Sequence, residues 1–171
     1  IDRIDVNAKG EAVIIDYKHK SSAALKDYAV QSTVDEQRDK DVVQLSSERL
    51  PRHVQAIIYA QVVRKYLKAH NLTSIGAMYM GTRHTYALLG AAPDSYIYRI
   101  FGVGDDKGVS KTMESCIVGE NVETFNACLD AWEAQIAQAV ERMLNGDIRA
   151  CALDKEACTY CPVMNCLERK N

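Results

Sequence analysis

The chain has 171 residues and a mass of 19.1 kDa, the size of one ordinary domain and long enough to bury a core. Its residues are 47% hydrophobic and 26% charged, which excludes global disorder, and no apolar run approaches the length of a membrane span. With 21 Lys and Arg against 23 Asp and Glu the net charge is −2, so any affinity for nucleic acid has to come from a local patch.

The chain opens Ile1-Asp2-Arg3-Ile4-Asp5, with no initiator Met and directly in a strand pattern, which reads as a piece of a longer polypeptide. Residues 1–6 and 11–18 are expected to form a β-hairpin closed by Asn7-Ala8-Lys9-Gly10, with the apolar run Val13-Ile14-Ile15 inside its second arm. Residues 21–50 hold paired serines, a charged stretch over 35–41 and little periodicity. They read as a solvated, partly mobile insertion with room for one short helix. Pro51 suits a first helical turn and opens a helix expected to reach about Ala69. A strand is predicted over 75–80, a turn at Thr82-Arg83-His84, a returning strand over 86–89 and another over 96–101. The clearest element is the last helix. Asn121 can cap it, Val122, Phe125, Leu129, Trp132, Ile136, Val140 and Met143 recur at helical spacing, and Gly146 can end it. The fold class is therefore mixed α/β, with a core over 1–150 and a cysteine-rich tail over 151–171.

The hairpin gathers chemically useful residues. With Gly10 in the left-handed position of a three-residue loop, opposed residue numbers sum to about 18, so Asn7 faces Glu11 and Asp2 faces Asp16. Alternation puts Lys18 on the face of Asp16, and Asp5 on the face opposite Asp2. Two adjoining carboxylates repel and are best explained by a divalent cation. A Lys beside them can orient a water and offset charge on a phosphate. Gln55 and Tyr59, four residues apart, share one face of the 51–69 helix, continued by Val62 and Tyr66. The plain alternative is a surface hairpin whose charges face water.

Of six cysteines, Cys116 and Cys128 read as ordinary buried thiols. Cys158, Cys161 and Cys166 form a tight cluster that, without a secretory signal, suits a metal or iron–sulfur site better than disulfides and suggests a reducing, cytoplasmic setting. Cys151 can complete a four-cysteine set, which could hold zinc equally well. His19, His53 and His84 read as surface residues.

The Ile1–Asp5 segment followed by Ile14-Ile15-Asp16-Tyr17-Lys18 resembles the PD-(D/E)XK nucleases, most closely their RecB-like branch, in which a G-x-[IL]-D strand precedes a D-Y-K strand. That branch carries Gln-x-x-x-Tyr on the next helix, matched here by Gln55-Ala56-Ile57-Ile58-Tyr59. The resemblance implies a restriction-endonuclease-like mixed sheet flanked by helices. It also implies Mg²⁺ or Mn²⁺ held by Asp2, Asp16 and the carbonyl of Tyr17, with Lys18 as the catalytic lysine. Gln55 and Tyr59 would position the site and the DNA. The tail is similar to the iron–sulfur clasp of AddB-type nucleases and CRISPR-associated single-strand exonucleases. There, three C-terminal cysteines (here Cys158, Cys161 and Cys166) and a fourth far upstream hold a [4Fe–4S] cluster, which the resemblance implies for the full-length protein and which is expected to be absent or damaged in this chain.

By this resemblance the chain is a Mg-dependent deoxyribonuclease, the exonuclease module of an AddB-type helicase–nuclease subunit in DNA double-strand break repair. Its partners would be DNA, as single strands or duplex ends, and a helicase–nuclease partner subunit, with no membrane role. Rival readings are a stand-alone CRISPR-associated-type exonuclease, a non-cutting module that binds DNA or a partner, and a zinc-held structural domain. The chain contains neither the Gly that usually precedes the first motif nor the further acidic or His ligand of a preceding helix, so by itself it is expected to be weak or inactive. Four residues separate Cys161 from Cys166, where five are more usual in the family.

Overall fold

A computed structural model describes residues 1–30, 50–51, 53–83, 86–147, 156–159, 161–163 and 166. The chain divides into two compact units, Ile1–Gln135 and Ile136–Asn171.

The first unit is built on a four-stranded sheet in the order β1-β2-β3-β4. Strands β1 (Arg3–Val6) and β2 (Glu11–Lys18) form the expected antiparallel hairpin. Its pairs Arg3–Ile15, Ile4–Ile14, Asp5–Val13 and Val6–Ala12 hold the register read from the turn. That turn is stabilised locally. The Asn7 carboxamide oxygen accepts the backbone N–H groups of Lys9 (2.8 Å) and Glu11 (3.1 Å), and Gly10 takes φ +76°, where a Cβ would be strained.

From β2 the chain crosses over through α2 (Gln55–Ala69) to β3 (Thr73–Gly81), which pairs parallel with β2. This makes β2 an inner strand, and the run Ala12 to Asp16 is accordingly buried on both sides apart from Val13, which is half-buried. The returning strand β4 (Ala87–Ala91) pairs antiparallel with β3 and forms the far edge. Gly90 is opposite Met78, and a Cβ there would meet the carbonyl oxygen of Ala77 and lie 2.8 Å from Met78 Cα. Only glycine lets these two strands approach so closely.

Ala56, Ile57, Ala60 and Val63 bury one side of α2 against the sheet. The long helix α5 (Val122–Leu144) adds Phe125, Leu129 and Trp132, all essentially inaccessible and each worth about 1.5–3 kcal/mol or more on burial. Asn121 caps α5 as its sequence suggests, accepting from Glu123 N (3.0 Å) and Thr124 N (3.1 Å). Gly146, at φ +87°, ends it in the second unit, with Gly146 N–H on the Met143 carbonyl (3.0 Å).

Three expectations need correction. Pro51 lies ahead of α2 rather than in its first turn: Val54 supplies the first helical carbonyl, accepting from Ile58 N (2.9 Å). Residues 96–101 are not a strand. A 3₁₀ turn, Asp94–Tyr96, leads into the short helix α3 (Ile97–Phe101), which Gly102 closes at φ +66°. Ile97, Ile100 and Phe101 then share an i, i+3, i+4 face, with Ile97 fully buried. The described part of the 21–50 segment is not solvated throughout. Helix α1 (Ser22–Leu25) and the 3₁₀ turn Lys26–Tyr28 bury Leu25, followed by Ala29 and Val30. The charged stretch over 35–41 lies outside the described residues. Between β4 and α5, the short helix α4 (Lys111–Glu114) is capped by Ser110.

In the second unit, the short helix α6 (Glu156–Thr159) carries Cys158, which is buried.

Candidate active site

Antiparallel pairing decides where the hairpin's carboxylates go. Asp16 follows Ile15 and Lys18 lies two residues on, so both side chains leave β2 on the face covered by α2. Asp16 is 4% exposed, and its Oδ2 is 2.5 Å from Lys18 Nζ. Gln55, the first residue of α2, ties this pair to the helix. Its Oε1 accepts from Lys18 Nζ (2.7 Å), while its Nε2 donates to Asp16 Oδ1 (3.2 Å) and to the Tyr59 hydroxyl oxygen (2.8 Å). The carboxamide offers an acceptor to the lysine and donors to the carboxylate and the phenol from a single planar group. Asp16, Lys18, Gln55 and Tyr59 are thus brought together.

Asp2 precedes β1 and is exposed, and its Oδ2 accepts the backbone N–H of Tyr17 at 2.7 Å. The pleat sends the N–H and C=O of Tyr17 toward β1, whose pairing has ended at Arg3, so the carboxylate takes the place of a missing strand carbonyl. Asp2 and the Tyr17 carbonyl therefore share the edge beside Asp16. Asp5 lies elsewhere: it is on the other face and binds Arg3 Nε at 2.6 Å, and this contact raises the guanidinium pKa.

The donor set suits a hard divalent cation. Asp16 is buried with its Oδ2 against the Lys18 ammonium, and Asp2, held by the Tyr17 N–H, lies at the neighbouring strand edge with the Tyr17 carbonyl. These donors are all oxygens. Among the described residues no three His, Cys, Asp or Glu side chains gather as a metal-holding group, so a cation here would need backbone or water oxygens beyond Asp2 and Asp16.

The cysteine tail does not show a comparable convergence. Cys158, Cys161 and Cys166 are free thiols that form no such group, and the nearest tie between them is Cys161 N–H to the Cys158 carbonyl at 3.4 Å. Cys151 lies outside the described residues. The described thiols therefore do not fit a cluster. Cys116 is a buried thiol as expected, its pKa pushed up to about 11 by burial, and half-buried Cys128 is raised for the same reason.

Sequence reasoning missed the support behind Gln55. Tyr79, the β3 partner of Asp16, is 2% exposed; its hydroxyl accepts from Ala56 N (2.8 Å) and donates to the His53 carbonyl (3.1 Å). Burial pushes its pKa up to about 12, so it stays neutral. Lys18 Nζ lies 5.6 Å from the centre of its ring. Tyr28 meets that ring edge-on at 4.8 Å and stacks on His53 at 3.7 Å. His53 is therefore half-buried and engaged, a correction to its surface reading, whereas His19 is exposed as expected and His84 lies outside the described residues. The run Ile75–Met80 reads only as apolar strand, and no local signal marks the hydroxyl of Tyr79.

Fold and site together define a mixed α/β protein with an Asp-x-Lys motif at the end of an inner strand, braced by a Gln from the crossover helix. A family model for the PD-(D/E)XK nuclease superfamily matches residues 1–166, and the chain belongs to that superfamily. No curated protein and no solved structure matches it.

Proposed function

We propose that the chain is a metal-dependent deoxyribonuclease of the RecB-like branch that hydrolyses phosphodiester bonds at Asp16 and Lys18. The observation that supports this most is the buried Asp16 carboxylate in contact with the Lys18 ammonium at 2.5 Å, with Gln55 holding both. Asp2, Asp16 and the Tyr17 carbonyl would hold Mg²⁺ or Mn²⁺. When bound, the ion supplies Lewis acidity toward the phosphate and lowers the pKa of a water. Lys18 orients the attacking water through Nζ and offsets charge developing on the phosphate. Gln55 fixes where that ammonium sits, and Tyr59 fixes the plane of the Gln55 amide. All these groups address backbone chemistry, so cleavage is expected to be independent of base sequence.

The finer context follows the family resemblance: an exonuclease module of an AddB-type helicase–nuclease, working with a partner subunit in double-strand break repair. The iron–sulfur clasp is not part of the reading, because the described cysteines do not converge.

The test is cleavage of labelled single-stranded and duplex DNA with Mn²⁺, with and without EDTA, by the wild-type chain and Lys18→Ala. Slow, EDTA-sensitive cleavage that Lys18→Ala abolishes is expected. Cleavage that survives Lys18→Ala, or a wild-type chain that neither cleaves nor binds Mn²⁺, overturns the proposal, the latter in favour of a non-cutting module.

A further inference from the structure

A cleft of about 790 Å³ opens at the outer edge of β4, between the α1 side and α4. Leu88 and Phe101 contribute to its apolar lining, and four serine and threonine hydroxyls also line it. Lys26 and Lys111 enter it from its two sides. No Asp or Glu among the described residues lines it, in a chain whose net charge is −2. Among the described residues neither lysine has a carboxylate partner, whereas Lys18, Arg64, Lys65 and Arg99 are each ion-paired. Tyr86 lines the same cleft and is 85% exposed, an aromatic surface that the core does not use.

We infer that this cleft binds single-stranded nucleic acid, with Lys26 and Lys111 on phosphates and Tyr86 stacked on a base. Positive charge and hydroxyl donors suit a phosphodiester backbone, and a stacking platform needs a base face that is not already covered by a neighbour, as in a single strand. The register adds a direction. Lys18 pairs with Gly81, and Gly81 with Ala87, so the cleft begins in the same row as the active-site lysine, two strand spacings or about 10 Å away. A strand lying in the cleft places its flanking nucleotides within reach of Asp16 and Lys18. This last step rests on the nuclease reading; the binding does not.

The test is fluorescence anisotropy of labelled oligothymidylate, oligouridylate and a duplex DNA hairpin, measured in EDTA with the intact chain. It compares Tyr86→Ala, the double variant Lys26→Gln/Lys111→Gln, and Lys9→Gln at the remote hairpin tip. Tyr86→Ala is expected to weaken single-strand binding about tenfold. The double lysine variant should lower the slope of log affinity against log salt by about 1.4. Lys9→Gln should leave both unchanged, and tighter binding of oligouridylate with the same Tyr86 dependence would support the site and assign it to RNA. Unchanged binding in both cleft variants overturns the proposal, as does duplex bound as tightly with the same Tyr86 dependence. Cleavage lost in Asp16→Ala alongside wild-type binding by Tyr86→Ala removes the cleft and leaves the nuclease. Tyr86-dependent binding by a chain that cuts nothing does the reverse.

Discussion

Replacing Tyr79 by Phe removes one oxygen from the support of the site and leaves the ring in place. The ring keeps its edge-on contact with Tyr28 at 4.8 Å, so little packing is lost. What goes is the acceptor for Ala56 N and the donor to the His53 carbonyl. Ala56 is fully buried, and its N–H is one of the first-turn donors that no helical carbonyl can serve. Leaving such a donor unpaired costs about 1–3 kcal/mol. A loss of about 2 kcal/mol in a domain of this size lowers Tm by about 4–8 °C, measurable by thermal melting followed by circular dichroism.

The alkaline limb gives a second readout. The unfolded chain loses this phenolic proton near its ordinary value of about 10, while the folded chain keeps it to about 12. The folded state therefore binds more protons across that window, and wild-type stability falls as pH rises through it, by at most about 2.7 kcal/mol. Tyr79→Phe lacks this component, so the gap between the two chains should narrow toward pH 12. Gln55 adjoins Ala56, so the turnover of metal-dependent cleavage should also fall severalfold. Equal melting temperatures at neutral pH and parallel alkaline limbs would refute the role assigned to the hydroxyl.

Gly90→Ala should cost more than about 3 kcal/mol or abolish soluble expression, because the new Cβ meets the β3 backbone; urea unfolding measures it. Asp2→Asn should weaken Mn²⁺ binding at least tenfold, whereas Asp5→Asn should leave it unchanged, as calorimetry can check. Hydrogen bonds from Arg64 to Asp130 and from Lys65 to Glu133 hold both carboxyl pKa values below their ordinary range. Their stabilising contribution is therefore fully present above the ordinary carboxylate range and is lost as pH falls from there through the lowered folded-state values. The Tm difference between wild type and Asp130→Asn should be visible at pH 7 and shrink as the solution is acidified below the ordinary carboxylate range.

The hairpin was legible because its information is local. Asn7 and Gly10 set the turn, the turn sets the register, and strand alternation then assigns Asp16 and Lys18 to one face. Gln55 and Tyr59 were legible as a pair for the similar reason that helical spacing is fixed. The start of α2 was not legible, since the partner for its first-turn N–H comes from Tyr79 on β3, far away in sequence. Residues 96–101 misled because alternating Tyr and Ile favour strands. The 3₁₀ turn after Pro93 and the left-handed Gly102 make a helical turn there instead, and that turn buries Ile97. In residues 21–50, the charged stretch at 35–41 dominated the reading and hid the small apolar group of Leu25, Ala29 and Val30.

The central claim is that Asp16 is the buried anchor of a divalent-metal site. Titration calorimetry with Mn²⁺ on the wild-type chain and on Asp16→Ala tests it most directly, with circular dichroism to show that both are folded. Binding by the wild type that the substitution abolishes is the predicted result. Equal binding by both folded chains would place the metal elsewhere and contradict the account.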